Sequence, residues 1–171
     1  VAAIRALRDR GVLFGLCTGR DAHATEAMYE LWGIDGLVDV MVGCGGAEVI
    51  DRAHGINELS YPLPGETIAR ICKHMADLPA TPVCPRDGVF YVPENNACVE
   101  HLSRVDGVPY KVVDFAEFLR EPQPKVMFAM APEVMPQVIE RASTFADDTV
   151  KAAALQTTQR LYEFMDPRVS K

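Results

Sequence analysis

The sequence predicts an α/β protein: a parallel sheet with helices on its faces, carrying an inserted α+β region. Residues 1–42 alternate helix, strand, helix and strand, the order that builds parallel sheets. The run Leu13-Phe14-Gly15-Leu16-Cys17 is apolar throughout and reads as a strand buried on both faces. It stops at Thr18-Gly19-Arg20, where a helix can begin. After Gly43-Cys44-Gly45-Gly46 the pattern turns to hairpins, an antiparallel device.

Taken in order, Val1, Ile4 and Leu7 recur at helical spacing and Gly11 stops that helix. The strand Val12–Cys17 follows. A helix over 22–32 starts on an Asp21 cap, presents Ala24, Ala27, Met28, Leu31 and Trp32 on one face, and closes at Gly33. Val38–Val42 is a second short strand, and right-handed crossovers would set both strand ends on one edge, where such sheets bind ligands. Ala47–Asp51 and Asn57–Tyr61 flank His54-Gly55 as a hairpin. From Gly65 onward, Ile68, Ile71, Cys72, Met75 and Leu78 follow the helical pattern. Asp87-Gly88, between Val83–Cys84 and Val89–Val92, is a hairpin turn. A helix over 95–103, an indistinct stretch over 115–119 and a strand Lys125–Met130 come next. A helix Pro136–Ala146 then opens on a proline, and Thr149–Leu155 with Arg160–Met165 form a last strand pair. The Gly-rich segment 43–46 and the Asp166-Pro167 turn act as hinges. The domains are therefore 1–46, an inserted 47–165, and 166–171 returning to the first.

At 171 residues the chain can bury a core, and its 49% apolar and 24% charged residues are ordinary for a globular protein. A formal charge of -7 without any Lys/Arg cluster argues against a nucleic-acid partner. No apolar stretch reaches membrane-spanning length, and Val38–Ile50, the nearest candidate, carries Asp39 and Glu48; no signal peptide opens the sequence. The five cysteines are odd in number and lack a C-x-x-C pair, so buried free thiols in a reducing cytoplasm are expected. Cys72, His74 and His101 do not complete a zinc set.

A hydroxyl, a glycine and an arginine at a strand-to-helix junction suit phosphate, since free amides and the helix dipole point there. The alternative is a plain Thr cap with Arg20 on the surface. Gly43-Cys44-Gly45-Gly46 is read as an interdomain crossing, because a strand rather than a helix follows it. Lys171, after a strand and the Asp166-Pro167 turn, can reach a phosphate as a point charge. Asp147-Asp148 reads as a solvated turn, and His23, His54, His74 and His101 have no nucleophile partner at a suggestive spacing.

These features in this order resemble the haloacid dehalogenase (HAD) superfamily, specifically its Cof-like phosphatases with a large α/β cap of the C2 type. Leu13–Arg20 is similar to that family's second motif. Gly45-Gly46-Ala47-Glu48-Val49-Ile50 resembles the N-G-A-x-I leading into the cap, with Gly45 where the family has Asn. Leu161–Lys171 is similar to the exit, ending in the V-S-K lysine. The resemblance implies a Rossmann-like core fragment with an inserted cap. It implies that the Thr18 hydroxyl and Gly19 amide bind the transferring phosphoryl group, that Lys171 neutralises it, and that Arg20 sits at the pocket edge. Thr18 and Lys171 are then the catalytic residues of this segment. Arg86, Asp87 and Tyr91 on the hairpin are the candidates for substrate choice.

The implied activity is hydrolysis of a small phosphorylated metabolite through an aspartyl-phosphate, with Mg2+. The D-x-D aspartates of the family precede the helix at Val1 and its acidic magnesium motif follows the lysine. The segment alone, without a metal site, is expected to be inactive. A non-catalytic module binding phosphorylated metabolites and a sugar-phosphate mutase are the alternatives. No nucleic-acid or membrane partner is expected, and a homodimer is left open.

Overall fold

A computed structural model describes residues 1–155 and 160–169. They form two compact units, Val1–Ser60 with Val169, and Tyr61–Arg168.

The first unit contains α1 (Ala2–Arg8), β1 (Gly15–Cys17), α2 (Ala22–Glu26), α3 (Tyr29–Trp32), β2 (Val40–Gly43), β3 (Glu48–Asp51) and β4 (Ile56–Leu59). Its sheet runs β1-β2-β3-β4. β1 and β2 are parallel, with Leu16 opposite Met41, as the helix-strand alternation requires. Asp39 ties α1 to this pair: it accepts the Phe14 amide at 2.7 Å and a bond from Arg8. Those two donors, the amide first, hold its carboxyl below the usual range. Ala22, Tyr29, Ile34, Leu37 and Met41 make a small core.

Four expectations are corrected here. The strand is shorter than Val12–Cys17 and is not buried on both faces: Leu13 is 67% exposed and Val12 48%. β1 is the outermost strand, with one hydrogen-bonded neighbour among the described residues, so an apolar run has nothing to cover its far edge. Cys17 is exposed for the same reason rather than buried. The helix α1 buries none of its residues. The helix expected over 22–32 is two short ones, because the Met28 amide turns back to Thr25 O (3.0 Å), three residues away. That tightened turn rotates the face, bringing Tyr29 inward and leaving Leu31 77% exposed. The caps are as read: Asp21 accepts the Ala24 amide at 2.9 Å, and Gly33 closes α3 in the left-handed region, φ 67°.

The hairpin of β3 and β4 also changes place. β3 pairs antiparallel with β2, Val42 opposite Val49, so it extends the first sheet. The units therefore divide after Ser60 and after Arg168, where the sequence pattern placed its divisions after 46 and 165.

The second unit holds α4 (Gly65–His74), β5 (Ala80–Arg86), β6 (Val89–Val92), α5 (Ala97–Asp106), β7 (Tyr110–Val112), α6 (Phe115–Phe118), β8 (Val126–Met130), α7 (Met135–Ser143), β9 (Lys151–Ala154) and β10 (Leu161–Met165). Its sheet runs β7-β6-β5-β8-β10-β9, antiparallel except for β6 and β7. Residues 156–159, inside the expected last strand pair, lie outside the described residues, while β9 and β10 themselves pair antiparallel.

Ile68, Ile71 and Met75 from α4 and its end, with Met135, Val138 and Ala142 from α7, cover Val126, Phe128 and Met130 of β8 and Phe164 of β10. This is the pattern that the Gly65 helix predicted. The alternate residue Ala129 faces a small cavity shared with Leu102 of α5 and Leu161, so β8 is covered on both faces. The hairpin turn has φ 53° at Asp87 and 74° at Gly88, the positive pair that a tight primed turn needs. Strand β7, three residues behind Pro109, has no counterpart in the sequence reading. No described helix is long and apolar enough to cross a membrane.

Candidate functional site

The loop Thr18-Gly19-Arg20 leaves the C-terminal end of β1, where the parallel pair ends. The Thr18 amide continues the ladder, donating to Val42 O at 2.9 Å. The following turn, Cys44–Gly46, then laces the loop from beside it. The Gly45 amide donates to Thr18 O at 3.0 Å and the Cys44 amide to Arg20 O at 2.7 Å. Reaching both requires left-handed backbone, φ 46° at Cys44 and 70° at Gly45. Gly45 takes that conformation freely; Cys44, fully buried, does so under strain. The Arg20 amide donates to Thr18 Oγ1 at 3.2 Å, which leaves the Thr18 hydroxyl proton available to point outward.

Beyond the loop the geometry departs from the expected free amides. Asp21 caps α2 through the Ala24 amide, and Glu48 Oε2, from the first residue of β3, accepts the Ala22 amide at 2.8 Å. Two of the amides at the start of α2 are therefore held by the protein's own carboxylates, and α2 is only five residues long. The site rests on the loop itself. Burial pushes the Glu48 carboxyl up, and the Asp21 charge adds to it; the Ala22 amide, the Cys44 thiol and His23 act the other way. The sequence places Glu48 at the variable position of the N-G-A-x-I-like segment and as a charge against a membrane span, and assigns it no role at the site. Its one signal is a carboxylate directly after Gly-Gly-Ala at a strand start.

Thr18, Gly19 and Arg20 are each half-buried in this loop. Lys171 lies outside the described residues. Arg86, Asp87 and Tyr91 come together in the second unit. The Arg86 guanidinium donates to Glu121 at 2.9 Å and lies over the rings of Phe118 and Tyr91, 4.7 and 5.1 Å from their centroids. Tyr91 stacks on Phe118 at 4.6 Å, and the Asp87 carboxylate is 3.9 Å from Arg86 Nε. Among the described residues no group of three or more His, Cys, Asp or Glu is placed to hold a metal ion.

The profile of the haloacid dehalogenase-like hydrolases matches residues 1–171. No curated protein is significantly similar in sequence. Solved structures share the fold at low identity. A haloacid dehalogenase-like hydrolase from Bacteroides thetaiotaomicron is 10% identical with a TM-score of 0.82, over 98% of this chain and 63% of its own. A Thermotoga maritima protein is 19% identical with a TM-score of 0.81, over 99% and 62%. A subclass IIB sugar phosphatase of the superfamily is 13% identical with a TM-score of 0.72, over 99% and 62%. The chain thus spans less than two thirds of the length of each.

Proposed function

The chain belongs to the haloacid dehalogenase-like hydrolases, and from that premise we propose that it is part of a phosphatase acting on a small phosphorylated metabolite in the cytoplasm. The observation that carries the reading is the Thr18-Gly19-Arg20 loop, laced by the Cys44 and Gly45 amides at the end of the parallel β1–β2 pair. A loop held from behind by its carbonyls keeps its outward donors fixed, and fixed donors are what phosphoryl transfer uses most. A sugar phosphatase among the structures of this fold agrees with the substrate class.

In this reading the Thr18 hydroxyl and Gly19 amide donate to the phosphoryl oxygens, Arg20 lines the pocket edge, and Lys171 offsets the charge. An aspartate of the longer protein, on a strand pairing along the open edge of β1, attacks phosphorus. The P–O bond to the metabolite breaks and the metabolite leaves as its alcohol, its oxygen taking a proton from the second aspartate of the D-x-D pair. Water, giving a proton back to that aspartate, then cleaves the aspartyl-phosphate and frees phosphate. The unit Tyr61–Arg168 acts as the cap, with Arg86, Asp87 and Tyr91 reading the substrate. The resemblance also implies magnesium. The described residues offer it no ligand set, so no step assigned to them runs through it.

The test is phosphate release by the full-length protein from a panel of phosphorylated metabolites with magnesium. Turnover is expected, and Thr18→Ala should lower kcat/KM by about a hundredfold or more. Absence of phosphate release overturns the reading. Binding without turnover would instead mark a binding module, and transfer between sugar positions without free phosphate a mutase.

A further inference from the structure

We propose that Glu48 is the positioning residue that sets the Thr18-Gly19-Arg20 loop in its phosphate-receiving form. The inference rests on the phosphatase reading above and deepens it.

Glu48 stands opposite Gly43 in the β2–β3 register, directly beside the loop. Its Oε2 accepts the Ala22 amide at 2.8 Å, which fixes where the chain goes after Arg20. Paired with Gly43, the residue that enters the turn holding the loop's carbonyls, Glu48 stands between that turn and the loop's exit. Gly43 shows how closely these pieces meet. A methyl on its Cα would lie 2.6 Å from Glu48 Oε2, 3.1 Å from Ala22 N and 3.2 Å from Arg20 O. Any side chain at 43 would push the carboxylate off the Ala22 amide and press on the Arg20 carbonyl. The charged and titratable groups facing Glu48 are Asp21 and His23 from the loop and α2, and Cys44 from the turn. A carboxylate partly buried beside Asp21 is a costly choice for a site that any apolar residue could fill. What an apolar residue could not do is accept the Ala22 amide, which would otherwise be left without that bond.

The role separates from a merely structural one through the conservative variant. Glu48→Gln keeps an acceptor oxygen for the Ala22 amide; Glu48→Ala and Gly43→Ala each remove the contact by a different route. The full-length protein is used, with amide hydrogen exchange of residues 18–24 and the affinity for inorganic phosphate as readouts. In Glu48→Ala the Ala22 amide should exchange about tenfold faster or more, and phosphate should bind about tenfold more weakly. Gly43→Ala should do the same, while Glu48→Gln should stay within about threefold of the parent on both. Exchange in β8 should not move in any of them. Unchanged Ala22 exchange in Glu48→Ala overturns the proposal. So does faster exchange with phosphate affinity intact, or a Glu48→Gln that behaves like Glu48→Ala. If the parent neither binds phosphate nor releases it, the phosphatase reading fails, and the exchange arm still decides whether Glu48 holds the loop.

Discussion

Two strands of similar composition meet opposite fates in this molecule. β8, Val126–Met130, is buried at all five residues: β5 and β10 flank it, α4 and α7 cover one face, and Ala129 meets Leu102 of α5 on the other. β1, from the apolar run Leu13–Cys17, has β2 on one side and leaves Gly15 and Cys17 exposed. A run of apolar residues states what a strand can tolerate, not what covers it. Among the described residues the difference between the two strands is one of enclosure. The loop at Thr18 follows the strand with the open edge, and is held there by the Cys44 and Gly45 amides.

The sharpest way to break this contrast is the pair Lys125 and Glu163. Lys125 Nζ donates to Glu163 Oε2 at 2.8 Å, with side chains 2% and 7% exposed. The pair lies diagonally across the β8–β10 register, where Glu163 faces Met127. A one-residue slip would separate the charges and leave each buried alone. Lys125→Met should cost about 3–5 kcal/mol, read from the urea midpoint, because it strands a buried carboxylate. Lys125→Met with Glu163→Leu should recover most of that loss. A single variant costing under about 1 kcal/mol would mean that the second sheet is not the enclosed one.

How much of this was legible follows the same line. Signals that act within a few residues read true: the Asp21 cap, the Gly33 closure, the Asp87-Gly88 turn, and the helix face of Ile68, Ile71 and Met75. What depends on distant partners did not. The alternation in 47–61 gave a hairpin but not the sheet that it joins, since a strand's pattern names no neighbour. The phase shift at Met28 is set by packing of Tyr29, whose hydroxyl reaches Met41 Sδ at 3.3 Å. Of the site, the Thr18 loop was visible as a motif. Glu48 was not, because its partner amide at Ala22 is far away in sequence.

A smaller effect probes the middle ground, where the first unit is partly closed around Glu48. Burial raises this carboxyl, so the folded state prefers it neutral. The sign follows from linkage: its contribution to stability is fully present below the unfolded value, about 4.3, and is lost as pH rises through the raised folded value. Glu48→Gln cannot ionise. Its stability relative to the parent should therefore rise with pH from about 4 upward and then level off, in urea midpoints taken across that range. A difference that stays flat, or falls, would show that the Ala22 amide outweighs burial and that this corner is as open as β1.

The smallest effect concerns the open edge itself. Leu13, 67% exposed, gains little from folding in the described residues, so Leu13→Ser should change the stability of the 171-residue chain by less than about 0.5 kcal/mol. In the full-length protein the same substitution should behave differently if a further strand pairs along β1, because that strand would bring cover to the apolar run. The cost there should approach the roughly 1.5–3 kcal/mol of burying a leucine. The comparison uses one residue in two contexts, so the serine's own propensity cancels. Equal small costs in both would leave β1 an open edge in the whole protein. The attacking aspartate of the proposed mechanism would then have to reach Thr18 from some element other than a neighbouring strand. A large cost already present in the short chain would mean that β1 is covered after all, and would erase the contrast with β8.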